Sequence, residues 1–154
     1  SLTDPGTPIM HVGSFARGKG LFKAIPYKQA QEFPDEEYPY LMSTGRMLYH
    51  YNTRAMTGRT EGINQIANHS YIEINAVDAQ ALGIQEGDKV EVHSRRGKIE
   101  TYAAVGNRVF PQEVFMTFHF PDGNVNEITN AVFDDIATIP EYKVCAVAIK
   151  PVNK

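Results

Sequence analysis

Residues 71–105 restrict the fold more than any other part of the sequence, because the local signals in YIEINAVDAQALGIQEGDKVEVHSRRGKIETYAAV agree with one another. The first five residues alternate between apolar and polar side chains, which predicts a half-buried strand. Asn75 then occupies an N-cap position, with Asp78 three residues later as its expected capping partner. Gly83 follows at a position where glycine commonly ends a helix with positive φ. The stretch therefore predicts a strand followed by a short helix.

A hairpin is predicted directly after that helix. Val90 and Val92 alternate with polar neighbours, so the two valines are expected to face the core. Glu91 and His93 are expected to face outwards. The turn sequence SRRGK, with Gly97 as its turn residue, leads back into a second strand, IETYAAV.

Further apolar runs predict strands elsewhere: YLMST at 40–44, VFMTFHF at 114–120 and VCAVAIK at 144–150. The stretch NEITNAVFDD, residues 126–135, is expected to form one or two helical turns. Six or so short strands with short helices, and without a repeated period, indicate a closed or nearly closed β-barrel. The order of the strands around the barrel cannot be read from their spacing.

The chain before the first strand has a different character. Prolines and glycines interrupt residues 1–39 before a helix or a long strand can be established, which indicates an irregular connector. An acidic run within it, predicted to be solvated surface, comprises Glu32, Asp35, Glu36 and Glu37.

The composition agrees with one folded domain. The 154 residues are enough for a single core, and 42% hydrophobic with 21% charged residues is close to the average of soluble globular proteins. A formal net charge of −3 argues against general nucleic-acid binding, since phosphate backbones recruit broad basic surfaces. No apolar run approaches the roughly 20 residues that cross a bilayer, so no membrane partner is expected.

The number of cysteines limits which covalent and metal sites the chain can form, and it bears on the expected cellular location. Cys145 is the only cysteine, which excludes an internal disulfide and a cysteine-built zinc or iron–sulfur site within this sequence. A cytoplasmic location is the expectation, because the N-terminal residues also lack the regions of a signal peptide. The first residue is Ser1 rather than Met, so a targeting signal of a longer parent would not be visible.

No self-contained catalytic site is predicted. Cys145 inside an apolar run is typical of a small core residue. The five histidines lack the His-x-x-x-His or Glu-x-x-His spacing of metal sites, and the carboxylates lie in surface-like runs. We therefore assign no catalytic residue and no metal ligand to this sequence.

Anion binding is the better hypothesis. The turn Thr44-Gly45-Arg46 ends a predicted strand with backbone N–H groups, a hydroxyl and a guanidinium, which together can surround a phosphate or a polar heterocycle. The loop after it is too long for a hairpin, and such loops more often serve binding, although a solvated loop remains the alternative. Its donor-rich residues are His50, Thr53 and Arg54.

Two later polar clusters have the same character. The second cluster follows VFMTF and comprises His119, Asp122, Asn124, Asn126 and Thr129. The third is PEYK, residues 140–143, in which Tyr142 and Lys143 precede the last strand. Each has a plain structural alternative, which is turn formation for the second and a turn with a snorkelling lysine for the third.

In this order, and with INAVDAQALGIQEGDKVEVHSRRGKIE between them, the clusters resemble the C-terminal molybdopterin-dinucleotide-binding domain of the large molybdenum and tungsten oxidoreductases. The resemblance covers residues 38–150. TGR followed by a histidine, T..MTG, FMTFHF, N.ITN and IPEYKVCAVAI are most similar to the catalytic α subunit of formate dehydrogenase. Residues 7–40 resemble the linker that precedes the domain in such subunits.

The resemblance implies a mainly β fold, a six-stranded double-psi β-barrel with short helices in residues 38–154, after a linker in residues 1–37. Its strand-end loops would close over molybdopterin guanine dinucleotide, in the bis form that holds molybdenum or tungsten. Many relatives have Trp-His-Thr where this chain has Tyr51-Asn52-Thr53, so a contact by a second histidine is not implied. The implied cofactor-binding residues are Thr44, Gly45, Arg46, His50, Thr53, Arg54, His119, Asn126, Thr129, Tyr142 and Lys143.

The implied function is that of the cofactor-binding domain of a formate dehydrogenase α subunit, which oxidises formate to CO2 with two electrons. The metal ligand and the iron–sulfur residues lie in other domains of such a subunit, which would be this domain's partners. The alternatives are the same domain from another oxidoreductase, such as nitrate reductase, and a non-enzymatic double-psi barrel that serves protein interaction. The cofactor hypothesis requires Arg46, His119 and Lys143 to meet at one end of the barrel.

Overall fold

The computed structural model describes residues 3–152, which form six strands, two α-helices and two 3-10 turns. Ser1, Leu2, Asn153 and Lys154, which belong to the predicted domain ranges, lie outside the described residues. The 3-10 turns are Thr57–Arg59 and Val125–Glu127. The elements are β1 (Tyr40–Gly45), α1 (Glu61–Ile66), β2 (Tyr71–Asn75), α2 (Ala76–Leu82), β3 (Lys89–His93), β4 (Lys98–Gly106), β5 (Glu113–Thr117) and β6 (Cys145–Pro151).

The six strands close into a barrel in the order β1-β5-β2-β4-β3-β6. Two neighbouring pairs are parallel, β1 with β5 and β2 with β4, and the other four pairs are antiparallel. This interleaved order confirms the predicted fold class, a mainly β, six-stranded double-psi barrel with short helices. The order itself comes from pairings between strands that are distant in the chain, which is why the sequence left it open.

The strand directions bring three connections to one end of the barrel. Because β5 runs parallel to β1 and β3 is antiparallel to β4 and β6, strands β1, β3 and β5 end where β2, β4 and β6 begin. We call this end the mouth. The connections at the mouth are residues 46–70, 94–97 and 118–144.

Alternating side chains of the strands fill the barrel. Val90 and Val92 are fully buried, as their alternation with Glu91 and His93 predicts. Met42, Ile72, Ile74 and Met116 from neighbouring strands are also fully buried and belong to the same cluster. Burial of this apolar surface is the main favourable contribution to the stability of such a domain.

Helix α2 has the predicted ends but not the predicted capping partner. The Asn75 side chain accepts a hydrogen bond from the Val77 N–H at 3.0 Å, and Gly83 ends the helix with φ 67°. The prediction that Asp78 pairs back to the N-cap is wrong. Its carboxylate instead accepts from the Gln112 N–H at 2.7 Å, because the connection before β5 folds over the start of the helix.

Two predicted elements are shorter in the structure. The strand expected over 114–120 ends at Thr117, because His119 turns into contacts with the connection 46–70. The helical turns expected over 126–135 reduce to Val125–Glu127. Beyond it, the Asp134 carboxylate accepts from backbone N–H groups two and three residues later, which forms a local turn in place of a helix.

Residues 3–39 contain neither helix nor strand, in agreement with the predicted irregular connector. No helix among residues 3–152 is long and apolar enough to cross a membrane.

The prediction that the acidic run is solvated surface is wrong for Glu32, whose side chain is only 14% exposed. Its carboxylate accepts from the Ala146 N–H at 2.6 Å and pairs with Arg96 at 2.5 Å, while Asp35 pairs with Arg95. The basic hairpin SRRGK supplies the charge that draws this run onto the barrel.

Acidification should remove the contribution of Glu32 to stability. Burial opposes its ionisation, but hydrogen bonds from Arg96 and Ala146, with the charges of Arg96 and Arg95, outweigh burial and lower the pKa of Glu32 from its ordinary 4.5. Because the folded pKa is the lower one, the stabilisation is complete above the ordinary value and is lost as the pH falls through the lowered pKa. We expect the unfolding free energies of the parent and of Glu32→Gln, measured in urea, to differ near neutral pH and to converge at acidic pH. A difference that does not change with pH would contradict this prediction.

Candidate functional site

The turn that ends β1 is joined to the cluster before β6. The Lys143 ammonium donates a hydrogen bond to the Thr44 carbonyl oxygen. The Thr44 hydroxyl in turn donates to the Tyr142 carbonyl oxygen at 2.8 Å. Two clusters that are almost one hundred residues apart in the sequence therefore meet at the mouth.

Gly45 is required at this turn by a close approach rather than by its φ angle. A Cβ atom there would lie 2.7 Å from the Phe115 ring of the adjacent strand β5. Arg46 follows with an exposed guanidinium 5.2 Å from the Phe118 ring centroid, which is within the range of a cation–π contact. Within residues 3–152 this guanidinium has no hydrogen-bond or ion-pair partner.

His119 connects the turn to the donor-rich loop. Its Nε2 accepts from the Met47 N–H at 3.0 Å, so its Nδ1 carries the proton and donates to the Asn52 carbonyl oxygen. Burial lowers the pKa of His119, and the nearby His50 and Arg46 lower it further, although the hydrogen bond to Asn52 opposes them. The ring is therefore a neutral bridge between two segments of the mouth.

His50 lies inside the same loop. Its Nε2 donates to the Ala67 carbonyl oxygen at 2.6 Å, and its Nδ1 lies 3.0 Å from the Thr57 hydroxyl. The ring is buried and stands edge-on to Phe120 at 5.3 Å between centroids. Both ring nitrogens are thus occupied by the chain itself.

Arg54 also serves the internal order of the loop. Its backbone has φ 63°, and its Nη2 donates to the Asn64 side chain at 2.7 Å. Its guanidinium stacks over Phe120 at 4.9 Å. Thr53, beside it, is exposed and makes no hydrogen bond through its side chain within the described residues.

Asn126 and Thr129 lie at the mouth but on another part of its rim. The Thr129 hydroxyl donates to the Asn126 carbonyl oxygen at 3.3 Å. The neighbouring Glu127 carbonyl oxygen packs against Gly97 of the β3–β4 hairpin, 3.3 Å from where a Cβ of that glycine would stand. Within residues 3–152 these two side chains make no hydrogen bond with the Thr44-Gly45-Arg46 turn.

Arg95 and Arg96 are mouth residues that the sequence assigned only to a hairpin turn. Arg96 donates through Nε and Nη2 to the Ile128 carbonyl oxygen at 3.2 and 3.0 Å, and it pairs with Glu32. Arg95 pairs with Asp35 and stacks over Tyr38 at 4.5 Å. The sequence did contain an indication of their role, because two adjacent arginines in a turn and an acidic run in the connector can form ion pairs.

A cleft of about 330 Å³ opens beside Arg46 along the outer face of β2 and β5. A salt bridge of 3.0 Å between Arg108 and Glu73 lies in its wall. Its basic or ionisable nitrogens come from Arg46, His69 and Arg108. Its aromatic surface comes from Tyr49, Tyr71 and Phe115. The cleft therefore extends the cationic mouth onto a surface that can pack against a planar ring.

The donor groups and charges at the mouth are suited to holding a ligand. Burial raises the pKa of the Cys145 thiol to about 12, which makes it the inert core residue that the sequence predicted. Within residues 3–152, no group of three or more His, Cys, Asp or Glu side chains is placed to hold a metal ion. Fold and site together define a β-barrel domain with a donor-rich mouth, whose chemistry suits an anionic, partly aromatic group.

The chain belongs to the protein family described as "Molydopterin dinucleotide binding domain", which matches residues 40–146. It is 43% identical over 151 residues to the F420-dependent formate dehydrogenase 2 subunit alpha of Methanococcus maripaludis, covering 97% of this chain and 22% of that protein. It is 40% identical over 155 aligned residues to formate dehydrogenase H of Escherichia coli, covering 99% of this chain and 22% of that protein. The predicted family and the homology to formate dehydrogenase α subunits are thereby confirmed.

Two further similarities are to proteins that are not named as formate dehydrogenases. A nitrate reductase of Symbiobacterium thermophilum is 42% identical over 137 residues, covering 86% of this chain and 18% of that protein. The structure of acetylene hydratase from Pelobacter acetylenicus superposes with a TM-score of 0.68 at 12% identity, over 82% of this chain and 21% of that one. The latter shows a shared fold. The chain spans about a fifth of the length of the curated relatives it matches.

Proposed function

We propose that the mouth of this barrel binds molybdopterin guanine dinucleotide as part of a longer formate dehydrogenase α subunit. The observation that supports this most is the meeting of Arg46, His119 and Lys143 around one turn, which the cofactor hypothesis requires. The domain's share of the work is to bind and orient the organic cofactor, while the redox chemistry belongs to the cofactor and its metal.

The donors left over at the mouth fit such a group. The Arg46 guanidinium has no anionic partner among residues 3–152, and the Lys143 ammonium has used one of its three donors on Thr44. Pyrophosphate favours charged donors of this kind, and a pterin edge favours hydroxyl, amide and backbone groups. We propose direct contact by Arg46, Thr53, Asn126, Tyr142 and Lys143, whose side chains are exposed.

The other predicted site residues have a supporting role in this proposal. Each binds the chain itself through at least one polar atom, so we propose that they shape the mouth rather than face the ligand; the buried Arg54 Nε has no hydrogen-bond partner among the described residues. Gly45 contributes the close approach to Phe115. The supporting residues are Thr44, His50, Arg54, His119 and Thr129.

The cleft beside Arg46 adds a second chemistry to the same site. Its aromatic walls can pack against a heterocycle, while Arg46 places a positive charge beside them and Arg108 is paired with Glu73. We propose that the cleft and the mouth receive connected parts of one anionic, heterocyclic ligand.

The activity of the parent protein is a further step of the proposal. The formate dehydrogenases of Methanococcus maripaludis and Escherichia coli match 97% and 99% of this chain, whereas the nitrate reductase matches 86%. We therefore favour two-electron oxidation of formate to CO2 over nitrate reduction, and both over an interaction module. Molybdenum or tungsten, the bis form of the cofactor and the iron–sulfur clusters would be held with the remaining domains, and a cytoplasmic location stays a prediction.

Binding of a guanine nucleotide to the 154-residue chain tests the proposal. We expect guanosine diphosphate, titrated while backbone amide shifts are followed by NMR, to perturb the Thr44–Met47 turn and Tyr142–Lys143 selectively. Arg46→Ala should weaken binding by roughly tenfold to a hundredfold, because it removes a charge-assisted hydrogen bond. Millimolar affinity is compatible with a surface that would close over a cofactor held partly elsewhere.

Arg17→Ala is the matched control, because Arg17 is an exposed arginine in the connector. It should leave the affinity unchanged. Equal weakening by both variants would show attraction to net charge alone, and shift changes confined to surfaces away from the mouth would refute the proposed site.

A further inference from the structure

Arg96 binds two separate segments at once, the connector before the barrel and connection 118–144 of the mouth. Its Nη1 and Nη2 donate to the two carboxylate oxygens of Glu32 at 2.5 and 2.9 Å. Its Nε and Nη2 donate to the Ile128 carbonyl oxygen, in the middle of connection 118–144. The planar guanidinium thus ties the connector before the barrel to the loop that carries five of the eleven predicted cofactor-binding residues, a geometry that a lysine cannot reproduce.

The connector continues this attachment on the other side of the same loop. Glu32 also accepts from the Ala146 N–H at the start of β6, and the Gln31 N–H donates to the Glu141 carboxylate at 3.4 Å. The Asn130 amide links Glu141, at 3.0 Å, to the Val144 carbonyl oxygen, at 3.3 Å. The end of connection 118–144 and the start of β6 are therefore held by hydrogen bonds from the connector and from within the loop.

Tyr142 and Lys143 lie between these attachment points in the chain. They follow Glu141 directly and end three residues before Ala146, so their backbone can shift little while the contacts persist. The same two residues bind the Thr44 turn. Whatever moves Glu32 or Arg96 consequently moves the part of the mouth that presents Lys143.

We propose that Glu32 and Arg96 are positioning residues, which hold Tyr142 and Lys143 against the Thr44 turn and make residues 31–35 of the connector a working part of the cofactor-binding mouth. This inference rests on the proposed function, because it assumes that Tyr142 and Lys143 contact the cofactor. A strain or displacement in the chain that precedes Gln31 would then be transmitted to the cofactor contacts.

The partial burial of the pair supports a positioning role. The side chains of Glu32 and Arg96 are 14% and 25% exposed, so both charges have lost much of their hydration. A desolvated ion pair adds little net stability compared with apolar packing, whereas its directional bonds restrict geometry. The fourfold use of one guanidinium, on a carboxylate and a carbonyl, is such a restriction.

Amide hydrogen exchange of the full 154-residue chain tests this without any ligand. We expect Arg96→Ala and Glu32→Gln to accelerate exchange at residues 130–146 by roughly tenfold or more, with little change at β2 and β3. Arg96→Lys should give an intermediate acceleration, because an ammonium cannot reproduce the four bonds that the planar guanidinium makes to Glu32 and Ile128. Lys98→Ala is the matched control, because Lys98 follows the same basic hairpin and pairs with Glu91, and among the described residues it makes no hydrogen bond or ion pair to Glu32 or to connection 118–144.

Two outcomes would overturn the proposal. Exchange that accelerates equally across all strands would show a contribution to global stability alone, and unchanged exchange at residues 130–146 would show that the loop holds itself. A guanosine diphosphate titration of the same variants separates this inference from the proposed function. If Arg96→Ala and Glu32→Gln accelerate exchange at residues 130–146 and also weaken nucleotide binding, both proposals are supported. If exchange accelerates there as expected but the parent chain does not bind the nucleotide, only the proposed function is refuted.

Discussion

Replacing Gly123 by alanine is expected to lower the free energy of unfolding by about 2–4 kcal/mol, because two separate penalties act at one position. Gly123 has φ 71°, a conformation that disfavours residues with a Cβ atom. An added Cβ would also lie 2.8 Å from the Glu100 carbonyl oxygen, and closer still to the Ser70 hydroxyl. That oxygen belongs to strand β4, which is paired on both sides in the closed barrel and cannot move aside. The start of connection 118–144 would therefore have to shift instead.

Urea unfolding followed by circular dichroism measures this effect. Gly62→Ala is the matched control, because Gly62 lies in helix α1 with no atom within 4 Å of the Cβ position. That change should be neutral or stabilising by up to about 1 kcal/mol, since alanine favours helix formation. If Gly123→Ala is as stable as the parent, the close packing of the loop on β4 is not what the structure indicates.

Met42→Ala is expected to lower the free energy of unfolding by about 2–5 kcal/mol, through lost apolar burial and a cavity in the barrel. Met42 is fully buried, and its strand β1 pairs with both β5 and β6. The same strand carries Thr44 and Gly45, so loosening of its packing should also weaken the meeting of the turn with Lys143.

Met56→Ala provides the comparison for this core substitution. Met56 is 76% exposed in connection 46–70, and removal of its side chain should change the free energy of unfolding by less than about 0.5 kcal/mol. The two variants differ in burial and not in chemistry. Similar losses in both would contradict the placement of Met42 at the centre of the barrel.

Exposed apolar side chains concentrate in the connector, outside the barrel. Phe22 and Ile25 are 99% and 88% exposed, and Leu21 and Tyr27 beside them are also largely exposed. Large apolar surfaces of this kind commonly mark contacts with other protein. Their presence agrees with the proposal that the chain is part of a longer subunit, given that the relatives are several times longer than the chain.

The polar clusters illustrate how far sequence reasoning reaches into the site. Arg46, His119 and Lys143 were expected to meet, and they do, because the strands that carry them end or begin at the same mouth. The sequence could not show which of these residues keep free donors for a ligand and which use them in hydrogen bonds within the chain. Whether a histidine faces a ligand or bridges two loops depends on which carbonyl and N–H groups the folded chain places beside it.

Local features of this protein were determined by the sequence alone. The capping of α2 by Asn75, its termination at Gly83 and the inward valines of β3 depend on residues within a few positions of one another. The order of motifs was likewise sufficient to indicate the family. Only the tertiary structure decided the strand neighbours, the internal hydrogen bonds of His50 and His119, and the docking of Glu32 onto β6. These contacts join residues as many as 114 positions apart, and closing the barrel, rather than any local preference, determines which of them form.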